Sequence, residues 1–478
     1  MVDNLARKLD NAPKAEIEIS EAPVKWCSVS LAEMVERGKR LEASVFDVEA
    51  RQAWDLINNN KYPITSLGGA NGLTTSYTCG RFKRIWVMKS EYPIYQPSSV
   101  VDIKPTPDGY ISKKTKVDID SLRVHKGQIL LTCSGTIGKV SLVSKTLDNA
   151  IFSHDLLRID CKNPVDVGYI YTYLKSKIGS QILITNKYGA VITHIESEHL
   201  DTVPIPNAPD TIKSKINDLI IQSYALRDES NALIDQAQAL LVKELNLPPI
   251  SEIKVDTLDK SKSVQTFNVK LSEMAGRADA SYHVPIVDAI VDILKKNAAE
   301  VTTVGDERIS SDIILPGRFK RVYVEEGYGT VLFGGKQMYE LDPSNKKYLS
   351  KSKHDERIIN ELEIQENTTL ISRSGTIGKV CLVPKHWQNW VASEHIIRVV
   401  PANNDVAGYI SIFLSSDYGY ELIKRFTYGS VVDEIDDNHV RQIQIPILKN
   451  KIFRSRSMIL PCKQMKNVIR LICLNRKR

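Results

Sequence analysis

An internal repeat constrains this chain more than any other feature. Ser134-Gly135-Thr136-Ile137-Gly138-Lys139-Val140 returns unchanged, 240 residues later, as Ser374-Gly375-Thr376-Ile377-Gly378-Lys379-Val380. The same shift relates Leu31-Ala32-Glu33-Met34 to Leu271-Ser272-Glu273-Met274, Gly168-Tyr169-Ile170 to Gly408-Tyr409-Ile410, Tyr188-Gly189 to Tyr428-Gly429, and Ile205-Pro206 to Ile445-Pro446. Gly80-Arg81-Phe82-Lys83-Arg84 recurs as Gly317-Arg318-Phe319-Lys320-Arg321, three residues out of that register. A collinear series of this kind means one domain written twice. The 478 residues are also too many for a single ordinary core.

Each copy reads as an α+β domain. Gln128–Thr132 and Lys139–Val143 are short apolar runs joined by a glycine-rich turn, and Thr369–Ser372 with Val380–Val383 repeat them. Gly135 and Gly138 suit turn positions with positive φ. Val167–Leu174 and Gly408–Leu414 each open a helix. Between the copies the pattern changes. Ile212, Ile216, Leu219, Leu226, Leu233, Ala237 and Leu240 follow an alternating four–three spacing, interrupted by Ser223 and Ser230, which predicts a helix with a heptad seam. Asp210 is the expected N-cap and Pro248-Pro249 the stop. The expected organisation is therefore an extension over 1–29, a domain over 30–207, a helical spacer over 208–249, a polar linker over 250–269, a second domain over 270–448 and a basic tail over 449–478.

The net charge of +7 suggests a nucleic-acid partner, but residues 449–478 hold ten Lys/Arg and no acid, so the rest of the chain is slightly acidic. Local clusters must carry that argument. The seven cysteines are scattered without a Cys-x-x-Cys pair, which speaks against a disulfide framework and a zinc site and suits a reducing cytoplasm. No signal-peptide pattern opens the chain, and no apolar run reaches membrane-spanning length.

The candidate site residues are cations and hydroxyls that both copies share. Arg81, Lys83 and Arg84, with Arg318, Lys320 and Arg321, place three cations around one phenylalanine, and a guanidinium can grip a guanine or a phosphate by two bonds. Thr136, Lys139, Thr376 and Lys379 could reach phosphates from the Ser-Gly-Thr turn. That turn is not a nucleotide loop, because Val140 and Val380 follow the lysine where Ser or Thr is required. Catalytic sets are missing: consecutive Ser153-His154-Asp155 cannot form a relay, and the second copy has Ser393-Glu394-His395 there. Pro107-Asp108 with Asp160-Cys161-Lys162 is a loose nuclease pattern, and Asn246-Leu247-Pro248-Pro249 a poor imitation of an amino-methyltransferase motif. No catalytic or metal-ligating residue is assigned.

Together these features resemble the specificity subunits of Type I restriction–modification systems. Arg40-Leu41-Glu42-Ala43 and Arg277-Ala278-Asp279-Ala280 stand near the two domain starts; each is followed by Ser-Gly-Thr-Ile-Gly-Lys-Val, a late Tyr-Gly and an Ile-Pro ending. The resemblance implies two tandem target-recognition domains separated by a coiled-coil spacer, each domain reading part of a split site in double-stranded DNA. It implies modification subunits docked on the spacer, carrying S-adenosylmethionine and methylating adenine, and restriction subunits adding ATP- and Mg²⁺-dependent cleavage. The chain itself is then not an enzyme and holds no cofactor. In the family a second long helix follows the second domain; here 449–478 lacks a sustained heptad and contains Pro461, so it reads as a truncated or aberrant version. The competing reading is a stand-alone DNA methyltransferase with an unrecognised catalytic part.

Overall fold

The structure, a computed structural model, describes residues 26–36, 39–40, 42–189, 193–255, 266–340, 343 and 346–449. The basic tail after Lys449, most of the 1–29 extension, part of the 250–269 linker and Leu41 lie outside the described residues. Helix and sheet are mixed throughout, and the chain divides into two compact units. The first holds 26–231 with 339–340 and 343; the second holds 232–338 with 346–449.

In the first unit, Ile64–Ser66 pairs antiparallel with Pro204–Pro206, closing the domain where the Ile-Pro motif ends it. One four-stranded antiparallel sheet runs Thr74–Tyr77, Leu156–Cys161, Ile129–Thr132, Val140–Leu142. A second runs Trp86–Val87, Gly109–Ile111, Pro93–Tyr95, Ile151–Phe152, with its last pair parallel. Ile129, Leu131, Leu157 and Ile159 alternate onto one face and bury against the helices Val167–Lys175 and Lys177–Thr185. Leu130 and Leu156 face the other way into a smaller core with Val124, Val143 and Phe152.

The second unit repeats this order. Glu300–Thr303 pairs with Gln444–Ile447; one sheet runs Ser310–Ile314, Ile396–Pro401, Thr369–Ser372, Val380–Leu382, and the other Tyr323–Val324, Lys347–Ser350, Gly329–Phe333, Val391–Ala392. Helix Asn404–Leu414 covers the first sheet, as Val167–Lys175 does in the first unit.

The predicted spacer is one helix, Asp210–Glu244, about 50 Å long at 1.5 Å per residue. Its stop is not the prolines. Asn246 turns into the left-handed region (φ 45°), and the Leu247 and Asn246 amides donate to Val242 and Lys243 carbonyls, a Schellman closure reached before Pro248.

The predicted seam is rotated in the fold. Of its seven members only Ala237 is buried; Ile212 is exposed and the other five are half-buried. The buried face holds Ile220 and Tyr224 in the first unit and Leu241 and Leu245 in the second. Polar anchors fix this rotation. Lys213 and Asp166 form a pair at 2.9 Å with both side chains about 5% exposed. The Asn217 side chain accepts from the Gly168 amide, and the Tyr224 hydroxyl accepts from that of Leu142. Asp228 takes bonds from the Ser144 hydroxyl, the Lys145 and Thr146 amides and the Thr146 hydroxyl, at 2.5–3.1 Å. Arg227 donates to the carbonyls of Asp102 and Ile103. Asp228→Ala would leave these donors without their acceptor, the buried Ser144 hydroxyl among them, so a loss of about 1–2 kcal/mol of the first unit's stability is expected by urea denaturation; an unchanged midpoint would remove Asp228 from the anchor set.

Candidate functional site

The site grows from the turn between Ile129–Thr132 and Val140–Leu142. Thr132 Oγ1 donates to the Thr136 carbonyl at 2.6 Å and accepts from the Lys139 amide at 3.0 Å. In the second unit Ser372 does the same for Thr376 and Lys379, at 2.5 and 2.9 Å. Gly135, Gly138, Gly375 and Gly378 all take positive φ, so the glycines build a tight strand–strand turn and leave Thr136 and Thr376 exposed at its tip.

The late Tyr-Gly segment folds back onto this turn. Bridges join Ser134 to His194 and Tyr188 to His194; at the equivalent positions Glu434 bridges Ser374 and Tyr428. The arginines near each domain start hold that segment in place. Arg40 pairs with Glu42 and donates to the Lys187 carbonyl at 2.8 Å; Arg277 pairs with Asp279 and donates to the Thr427 carbonyl at 2.9 Å. The Arg277 bond holds the Asp279 carboxyl down at about 2. These two arginines, which carry part of the sequence resemblance, thus set the geometry of the edge.

The pentapeptides join the same edge through their phenylalanines. Phe82 packs edge-on against His154, and Phe319 edge-on against His354. Arg81 and Lys83 are exposed, as are Arg318 and Lys320. Arg81 is close enough to act on Tyr188 and His154 electrostatically, and burial is the main cause of the lowered His154 pKa. Arg318 reaches Glu434 at 3.4 Å, where Arg373 also binds at 2.8 Å.

The remaining candidates are engaged with carboxylates to different degrees. Arg84 stands 3.9 Å from Asp155, whereas Arg321 meets both oxygens of Glu394 at 2.6 Å. Burial works to raise the Glu394 pKa, but the Arg321 guanidinium overrides it and holds the carboxyl below its ordinary range. Lys139 pairs with Glu340 at 2.6 Å. Lys379 lies half-buried beside its turn. The edge of the first unit therefore presents histidines at 154 and 194 where the second carries glutamates at 394 and 434. Sequence reasoning missed Arg373 and Glu434; the one available signal was their nearness to the Ser-Gly-Thr and Tyr-Gly motifs.

Two buried arginines support the edge from behind. Arg158 is fully buried on Leu156–Cys161, donating to the carbonyls of Leu156, Leu122 and Phe152. Arg398 repeats it with Ile396, Leu362 and Ala392. Burial lowers both pKa values, that of Arg398 to about 9.

The residues of the loose nuclease pattern hold turns: Asp108 accepts from the Gln96 amide, and Asp160 accepts from Gln128 and pairs with His125. Among the described residues no group of three or more His, Cys, Asp or Glu side chains is placed to hold a metal ion, and no helix is long and apolar enough to cross a membrane.

Residues 23–236 match the family described as the Type I restriction modification DNA specificity domain. Comparison with curated protein sequences gives no match. Among solved structures, the chain is similar to the Type I restriction-modification S subunit from M. genitalium at 14% identity, covering 86% of this chain and 97% of that one, with a TM-score of 0.30. It is also similar to the HsdS subunit from Thermoanaerobacter tengcongensis at 12% identity, covering 85% and 93%, with a TM-score of 0.27. A third structure, described by the complex assembly and conformational transition of the type I R-M system, matches at 14% identity over 87% and 94%, with a TM-score of 0.27. Over residues 23–236, somewhat less than half of its length, this chain is similar to the Type I restriction modification DNA specificity domain.

Proposed function

We propose that this chain is the DNA-recognition specificity subunit of a Type I restriction–modification complex, in which residues 30–207 and 270–448 are tandem target-recognition domains. The match of residues 23–236 to the specificity-domain family carries the reading. The repetition of the turn, pentapeptide and Tyr-Gly segment in the second unit extends it to both halves. In this reading each domain reads one half of a bipartite site in double-stranded DNA, and the helix Asp210–Glu244 sets the distance between the halves and docks modification subunits. Those partners bring S-adenosylmethionine and methylate adenine; restriction subunits bring ATP- and Mg²⁺-dependent cleavage. The chain acts by positioning DNA and contributes no catalytic group, so the isolated protein should neither methylate nor cleave DNA. Turnover by the lone chain would establish the methyltransferase reading instead. Exchanging residues 30–207 for the first domain of a relative should change one half-site and leave the other as it was. Methylation-aware sequencing of the host genome reads this out, and a change in both halves would sink the two-reader organisation.

The shared cations are assigned to phosphates, because a residue common to two domains that read different sequences cannot encode the difference. Arg81, Lys83, Arg318 and Lys320 are the exposed members. Alanine at any one should weaken binding to cognate and scrambled duplexes alike and reduce the slope of log K against log salt by about 0.9 per lost contact. Thr136 and Thr376, exposed at the turn tips, would assist them. An unchanged slope with unchanged affinity would take these residues out of the interface.

A further inference from the structure

Immediately after the first pentapeptide the chain exposes an apolar run. Ile85, Trp86, Val87 and Met88 are 43%, 51%, 36% and 100% exposed. Trp86–Val87 is an edge strand with Ile85 and Met88 at its ends, a place where an open apolar row is normally avoided. Trp86 is nevertheless firmly seated. Its indole lies over Gly109 of the neighbouring strand, where an added Cβ would stand 3.0 and 3.2 Å from ring atoms. The glycine thus provides the seat, and half of the indole surface stays open.

The second unit shows what happens without that seat. Its equivalent strand is Tyr323–Val324, and strand register puts Lys347 where the first unit has Gly109. The Lys347 ammonium covers the Tyr323 ring, 5.2 Å from its centroid. Val324 is buried, and Glu325 and Glu326 follow where the first unit has Met88 and Lys89. The open aromatic face belongs to the first unit's strand alone in this pair.

Its surroundings are cationic. Lys83 and Lys89 flank the run, and Lys113, Lys114 and Lys116 sit on a loop bonded to Ile85 through the Ser112 amide and the Thr115 hydroxyl. All five lysines are exposed and none forms an ion pair among the described residues. Protein interfaces are depleted in lysine, whereas DNA interfaces are strongly positive. Apolar side chains set among cations are the means by which proteins wedge open a base step.

We propose that Trp86, seated on Gly109 and backed by Met88, is an apolar wedge that enters the base stack of duplex DNA within the half-site read by the first unit. The proposal rests on the DNA-reading function above and adds a residue that the second unit does not share. It therefore contributes to what makes the two half-sites different.

The test uses the full chain, alone and with its modification subunit, on the cognate duplex carrying 2-aminopurine at successive positions. Binding of the wild type should raise the probe's fluorescence at one step in the first half-site. Trp86→Ala should abolish that rise and weaken cognate binding roughly 5- to 100-fold with an unchanged salt slope. Trp86→Phe should restore much of both, and Gly109→Ala, which disturbs the seat, should reduce the fluorescence change. Each variant's thermal unfolding is checked against the wild type. Wild-type binding without fluorescence change at any step, or full affinity in Trp86→Ala, would overturn the wedge while leaving the DNA-reading function standing. Loss of the modification subunit with DNA affinity intact would identify a protein-docking patch and overturn it too. A wild-type chain that binds no duplex specifically in either form would bring down the function itself, and the wedge with it.

Discussion

Arg158→Ala should cost the first unit about 3 kcal/mol or more, among the largest effects of any single side chain in this protein. The guanidinium is fully buried and satisfies three main-chain carbonyls, those of Leu156, Leu122 and Phe152. Removing it takes a donor from each of these carbonyls, at about 1–3 kcal/mol for each one left unsatisfied. Arg158→Met, close in volume, fills the space but leaves the same carbonyls stranded, so it should recover only the packing part of the loss. Arg158→Lys offers an ammonium in place of a planar fork and should fall between. Denaturant unfolding followed by a probe in each unit reads the effect; Arg398→Ala should act likewise on the second unit. Equal midpoints for Arg158→Ala and the wild type would show that the buried charge costs as much as its bonds return.

Insertion of seven residues between Asn231 and Ala232, where the helix passes from one unit to the other, should lengthen the gap between half-sites by about three base pairs. Seven helical residues add about 10 Å and leave the two ends rotated by only about 20° from their original facing. With about 3.4 Å of rise per base pair, that length is about three steps of duplex. The half-site sequences should not change, because neither domain edge is touched. A two-residue insertion rotates the ends by roughly 160° and should abolish modification instead. Methylome sequencing of cells carrying each variant gives the recognised site directly. An active enzyme with the original gap after the seven-residue insertion would dismiss the helix as a ruler.

The repeat, the glycine turn, the long helix and the Tyr-Gly segment were legible because each is a local pattern that occurs twice or over many residues. The rotation of the helix was not. Apolar spacing points to Ile212, Leu219, Leu226, Leu233 and Leu240, but Lys213, Asn217, Tyr224 and Asp228 bind partners 40 to 90 residues away, and those bonds decide which face turns inward. Polar anchoring of that kind leaves no periodic trace. The same limit hid the fate of the candidate cations. Arg84 and Arg321 share a motif, yet the residue each meets, Asp155 or Glu394, comes from a separate strand connection and differs between the copies. The burial of Arg158 and Arg398 was equally hidden, since nothing in a sequence tells a buried arginine from an exposed one.

The bonds of those two arginines have an evolutionary consequence. Their acceptors are main-chain carbonyls, which every residue type supplies. No second side chain has to change in step with them, so the connections on either side can be rewritten without disturbing the clamp. Phe152 in one copy and Ala392 in the other already occupy the same place beneath it. A scaffold held in this way puts little restraint on the residues it displays. A lineage under pressure to alter its DNA target can then diversify the displayed loops freely while the same arginine keeps them in position.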